Sequence, residues 1–163
     1  MQRFIVGTLA ASAFAAWRGE IVGSFNYDVL VADPVIGPPN VIRRIDCPQM
    51  RLASQVAAHE FGLSGLHGID FIRDREGNTH VLEVNPRATH GGTLAFGAGR
   101  DLPSALASAM TGIPMAMRPA IDNDIVALFP REWRRDPSSE FLRIGFHDVP
   151  WDDPRMLQAV LKS

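Results

Sequence analysis

The sequence predicts an α+β domain: a mainly antiparallel sheet with helices packed on one face. Three observations carry this. Runs of alternating apolar and polar residues, rich in β-branched and aromatic side chains, fill much of the chain. Two segments show full helical punctuation, with Pro in the first turn and Gly at the end. Turn chemistry separates consecutive strand-like runs, which reads as hairpins.

The first strands come at once. "MQRFIVGTLAASAFAA" imitates a secretory signal, with Arg3, an apolar run, then small residues around Ala13 and Ala15. "FIVG", "AASAFAAW" and "EIVGSFNYDVL" read better as strands, with Trp17-Arg18-Gly19-Glu20 as a tight turn. "ADPVIGPPN" (32–40) is a loop, and "VIRRI" a short strand. "DCPQMRLASQVAAHEFG" is a helix. Asp46 is expected as its N-cap, with Gln49 completing a capping box, Pro48 in the first turn and Gly62 as stop. Leu52 and Val56 share one face of it. An acidic hairpin, residues 68–87, follows. "THGGTLAFGAG" (89–99) is a glycine-rich loop. "DLPSALASAMTG" is the second helix, with Asp101 as cap and Gly112 as stop. "DIVALFP" (124–130) reads as a strand. A proline-broken tail with "DVPWDDP" ends in a helical turn or two.

The totals set limits. The chain has 163 residues, enough for a real core. Apolar content of 46% and charged content of 21% suit a soluble globular protein. A formal net charge of -2 gives no reason to expect a nucleic-acid partner. No run of about 18 apolar residues suggests a membrane span. One cysteine, Cys47, excludes an internal disulfide framework and a cysteine metal cluster, and suits a cytoplasmic setting. The basic residues are Arg apart from Lys162, so a lysine-dependent step would have that residue alone. Genomic base composition explains this bias without function.

The hairpin "GIDFIRDREGNTHVLEVNPR" holds the chemistry. With a four-residue loop at Arg75 to Asn78, Asp74 faces Thr79, Ile72 faces Val81 and Asp70 faces Glu83. Like charges directly opposite are destabilising. A raised carboxyl pKa, a neighbouring Arg or a divalent cation offsets them. Asn85 shares the face of Glu83 by strand parity. Asp70, Glu83 and Asn85 thus form an all-oxygen set suited to a hard ion such as Mg²⁺. A solvated face of acids is the alternative. Arg87, two residues beyond Asn85, and the glycine-rich loop add a guanidinium and backbone amides, both suited to phosphate. Arg43 and Arg44 could reach phosphate from a neighbouring strand, or sit in solvent. His67 has the opposite parity to Asp70 and reads as packing or surface. Cys47 reads as a bystander, and Trp17, Trp133 and Trp151 as packing residues.

"G-I-D-F-I-x-D-x-x-G-x-x-x-V-L-E-V-N-P-R" resembles the metal-binding hairpin of the ATP-grasp superfamily. "AGRDLP" and its helix resemble the segment after that hairpin, and "QRFIVG" resembles a family strand more weakly. The resemblance implies the C-terminal lobe of an ATP-grasp fold over residues 1–130, with 131–163 as a C-terminal extension. It also implies ATP-dependent ligation: a carboxylate becomes an acylphosphate, which an amine or thiol attacks, releasing ADP and phosphate. Asp70, Glu83 and Asn85 would hold Mg²⁺ (or Mn²⁺), and Arg87 would stabilise the transferring phosphoryl group. Leu82 and Glu83 would meet ATP. Beside the resemblance, the residues themselves offer Arg43 as a further ATP contact and His90, at the Gly91-Gly92 turn, as a contact to the carboxylate substrate, with a structural or solvated histidine as the alternative. The family's first lobe brings a glycine-rich loop and lysines to the phosphates. A separate domain usually precedes that lobe, and this sequence reads as neither of the two, so it is expected to be a fragment or short product, weak or inactive alone. ATP and a small carboxylate would be partners once that lobe is supplied. The alternative is a non-catalytic module that senses nucleotide or oligomerises through its exposed lobe face.

Overall fold

The computed structural model describes residues 4–34 and 37–162. Along the chain come β1 (Gly7–Trp17), β2 (Glu20–Ala32), β3 (Pro39–Ile45), α1 (Pro48–Glu60), β4 (Gly65–Asp74) and β5 (Thr79–Asn85). Then follow α2 (Leu102–Thr111), β6 (Ile125–Ala127), α3 (Arg131–Arg135), α4 (Phe141–Ile144), β7 (Phe146–His147) and α5 (Pro154–Lys162). The class is α+β with a mainly antiparallel sheet, as expected. Among the described residues no helix is long and apolar enough to cross a membrane. The chain forms two compact units, one from residues 1–28 and 44–122, the other from 29–43 and 123–163.

In the first unit the strands lie in the order β5-β4-β1-β2, all antiparallel. "FIVG" and "AASAFAAW" do not form two strands: one strand starts at Gly7, and Met1 to Arg3 lie outside the described residues. The β1–β2 turn has Arg18 at φ 54° and Gly19 at φ 86°. Two successive left-handed residues make the hairpin turn whose twist matches the strands.

Each face of this sheet has its own cover. Ala10, Phe14, Ile69 and Phe71 pack with Met50, Ala57 and Ala58 of α1. Phe14, Ile69, Phe71 and Met50 are almost fully buried, and each such side chain is worth about 1.5–3 kcal/mol. The opposite face carries Gly23, where an added Cβ would meet Leu102 and Ala105 of α2 at 3.3 and 3.2 Å. So α1 covers one face and α2 the other, where the sequence reading put helices on a single face.

Two details of α1 also differ. Cys47, not Asp46, is the N-cap residue, and it makes no side-chain cap bond. Asp46 instead pairs with Arg51 at 3.2 Å, and Gln49 Oε1 accepts a bond from Thr79 Oγ1. The face shared by Leu52 and Val56 points outward, at 60% and 52% exposed. Met50, Ser54, Ala57 and Ala58 face inward, because the large side chains lie on the sheet and leave room for small ones. By contrast α2 is capped as expected: Asp101 accepts from Ser104 N, and Gly112 ends the helix in the left-handed region.

The second unit is built from short pieces. β6 pairs antiparallel with β3 and parallel with β7. Val41, Ile42, Val126 and Ala127 are fully buried there. Glu132, also fully buried, is held by Arg135 through two bonds of 2.8 and 2.6 Å. The predicted "DIVALFP" strand is real but shorter, and α3 and α4 were not foreseen. In the 32–40 loop, Val35 and Ile36 lie outside the described residues.

Candidate functional site

Residues directly opposite in a sheet share a face. One row across the first unit reads Tyr27, Ala11, Asp70, Glu83, and the next reads Phe25, Ala13, Gly68, Asn85. These eight residues define the face on which the acidic hairpin was expected to act. Ala11, Ala13 and Gly68 are small, so the centre of the face is open to a covering segment.

The hairpin reaches this pairing by another route than the simple count. Asp74 N donates to Asn78 O, and Gly77 sits at φ 87°, so the pairing closes one step nearer the tip. Near the tip Arg73 faces Thr79, Ile72 faces His80 and Phe71 faces Val81. A bulge then leaves Leu82 without a partner position and restores Asp70 opposite Glu83. The predicted Asp74–Thr79 and Ile72–Val81 pairs are therefore replaced, while the two acids still face each other.

The acids do not stand alone. Asn85 Nδ2 donates to Asp70 Oδ2 at 3.0 Å. Burial pushes the Asp70 carboxyl above its usual range, opposed by the Asn85 amide. The charge and side chain of Glu83 push it further up, and the charge of Arg87 pulls it down. Asn85 is buried and Glu83 exposed, so the set opens at its Glu83 side. Arg87 is exposed, and its guanidinium donates to Ala88 O at 3.2 Å. Leu82 is exposed at the bulge.

The glycine-rich loop lies over the same face. An added Cβ on Gly68 would sit 2.3 Å from Thr89 Cγ2, so only Gly lets the loop come this close. A Cβ on Gly91 would come within 3.1 Å of Tyr27 Cε1. Phe96 packs edge-on against Phe25 at 5.0 Å, and the Arg44 guanidinium lies 5.2 Å from the Phe96 ring centre. The Gly92 amide is committed within the loop, donating to Thr89 O at 2.8 Å. His90 is exposed on the loop. Arg43 belongs to the second unit, exposed on β3 opposite Ile125.

Sequence reasoning missed Tyr27, Thr89 and Gly68. Tyr27 is buried, and burial with the charge of Asp70 drives its hydroxyl far above the usual phenol range, opposed by Thr89. Its parity with Asp70 was readable only once the β1–β2 and β1–β4 registers were known. His67 follows the packing reading: it is buried with its ring 5.5 Å from Phe14.

The donor chemistry fits a hard divalent cation. Two carboxylates and an amide are oxygen donors, and Mg²⁺ binds through few carboxylates while keeping water or phosphate oxygens. Among the described residues no group of three His, Cys, Asp or Glu is gathered, so the amide is needed to complete the set.

No family model matches the chain, and no curated protein is similar to it. Solved structures are. The phosphoribosylaminoimidazole carboxylase ATPase subunit from Aquifex aeolicus matches 66% of this chain with 35% of its own, at 14% identity and TM-score 0.52. The biotin carboxylase domain of a single-chain bacterial carboxylase matches 72% with 30% of its own, at 21% identity and TM-score 0.52. The biotin carboxylase subunit of pyruvate carboxylase matches 71% with 28% of its own, at 18% identity and TM-score 0.51. The chain therefore spans about a third of the length of these structures. At these identities the likeness is one of fold.

Proposed function

We propose that the first unit is the cation-and-phosphate half of an ATP- and Mg²⁺-dependent ligase site. The observation that carries this is the Asp70–Asn85 bond with Glu83 directly opposite, on a face that burial makes costly for charge. Asp70, Glu83 and Asn85 would hold Mg²⁺ or Mn²⁺, which supplies charge neutralisation for the β- and γ-phosphates of ATP. Arg87 would meet the transferring phosphoryl group, where fixed positive charge lowers the barrier. Leu82 would lie against the nucleotide. The loop at His90, Gly91 and Gly92 would meet the small carboxylate to be activated. Phosphoryl transfer gives an acylphosphate and ADP, and an amine or thiol then displaces phosphate. A cytoplasmic setting goes with this reading.

Tight phosphate binding needs positive charge from both sides, and this sequence has one lysine, Lys162. That observation favours a second reading: a module that binds nucleotide without turnover, or self-associates through β5, where Val81, Leu82 and Val84 are exposed. Titration calorimetry with ATP, with and without Mg²⁺, tests the shared part. Binding that requires both, and fails in Asp70→Asn, supports a retained half-site; binding indifferent to Mg²⁺ refutes it. Trapping an acylphosphate with hydroxylamine separates enzyme from module.

A further inference from the structure

The second unit holds a cavity of about 260 Å³ lined by Asp33, Asn40, Arg131, Arg134 and Arg135. It shares no residue with the acidic hairpin. Residues i, i+3 and i+4 lie on one face of a helical turn, so α3 presents three guanidiniums together. The wall is built. Arg135 is fixed by Glu132 through Nε and Nη2, and Glu132 is fully buried. Arg134 Nη2 donates to Val160 O at 2.7 Å, tying α5 to the same wall. Within the lining three positive groups face one carboxylate, Asp33, whose charge also supports Arg135.

The acceptors are as telling as the donors. Asn40 is 4% exposed, and its Oδ1 has no hydrogen-bond partner among the described residues. A buried acceptor left unmade costs about 1–3 kcal/mol. Guanidiniums prefer oxyanions, which they hold in a forked geometry. Asn40, in the same lining, keeps a buried acceptor unpartnered, and the exposed Asp33 would accept from a donor beside that oxyanion.

We propose that this cavity binds an oxyanion with an adjacent hydrogen-bond donor. A singly protonated phosphate meets that description, and so do the carboxylate and ammonium of an amino acid. The volume admits a small molecule of either kind. The proposal does not depend on the hairpin binding a cation.

The test is calorimetry on the whole chain with four probes at equal ionic strength: inorganic phosphate at pH 6.5, sulfate, alanine and propionate. Phosphate is expected to bind at least tenfold more tightly than sulfate, or alanine than propionate, and the pair that discriminates identifies the source. Arg131→Gln and Arg134→Gln should each weaken that binding at least tenfold, with the folded state checked by circular dichroism. Glu83→Gln should leave it unchanged. Binding of no probe at 20 mM, equal binding within both pairs, or binding indifferent to both arginine variants would each overturn the proposal.

Discussion

Glu83→Gln is the sharpest test of the acidic face. It replaces a charge by a neutral amide of nearly equal shape opposite Asp70. Facing side chains lie roughly 5 Å apart at Cβ. At an effective dielectric of about 40–80, two unit charges at that distance repel by about 0.8–1.7 kcal/mol. Glu83 is exposed, so screening favours the lower end, about 1 kcal/mol. For a chain of this size that is a rise of about 2–4 °C in Tm without metal. The effect must also depend on pH. A raised carboxyl pKa means that the folded state holds its proton more tightly than the unfolded chain. Asp70 therefore costs stability above its folded pKa, and the cost disappears as pH falls through that value. The advantage of the variant should be largest at neutral pH and shrink on acidification. Scanning fluorimetry with and without Mg²⁺ reads both arms, since binding adds RT ln(1 + [L]/Kd). Wild type should gain stability from Mg²⁺ and ATP together, and the variant should not. Unchanged Tm without metal, with an unchanged response to Mg²⁺ and ATP, would refute the paired-acid argument.

Three further expectations follow from the same structure. Gly68→Ala should drive Thr89 off the sheet, since the added methyl group would overlap its Cγ2; a loss of about 1–3 kcal/mol in urea denaturation is expected, with faster amide exchange across residues 89–97. Burial alone would raise the buried Asp101 carboxyl, yet Arg118 and Ser104 hold it at about 2; Asp101→Ala should cost about 2 kcal/mol at neutral pH, and that contribution should fade as pH falls from the usual carboxylate value toward 2. Burial lowers the pKa of His67, so the folded protein resists its protonation and stability should be lost as pH falls below the ordinary histidine value; His67→Leu should remove that loss, read from the pH dependence of urea midpoints.

The sequence made the facing acids legible because strand parity is local and robust. Asp70 and Glu83 share a face whether the hairpin closes with four loop residues, or with the tighter closure and the Leu82 bulge. Both routes insert an even total offset, which parity cannot distinguish. The helix starts were legible from Pro48 and Asp101, but only one cap was. Asp101 finds Ser104 N and Arg118, whereas Asp46 is drawn to Arg51. The inner face of α1 was harder to read, since a sheet bearing Phe14 and Phe71 selects Ala and Ser rather than Leu. The division into two units left no mark, because β2 and β3 each run through a boundary without a composition change.

The bulge and the loop belong to one physical argument. A bulge re-aims a strand locally, and here it falls between the hairpin tip and the acids. Without it, the tip register would place Leu82 opposite Asp70 and turn Glu83 to the α1 face. One step further along, Gly68 faces Asn85 and admits Thr89, which brings Gly91 onto Tyr27 beside the acid row. The loop therefore covers the positions next to Asp70 in the sheet, while the bulge sets Glu83 against it. Desolvation and like charge act on a single carboxyl, and both are relieved by a proton or by a cation. The strain that makes Asp70 costly when bare is what would make cation binding favourable.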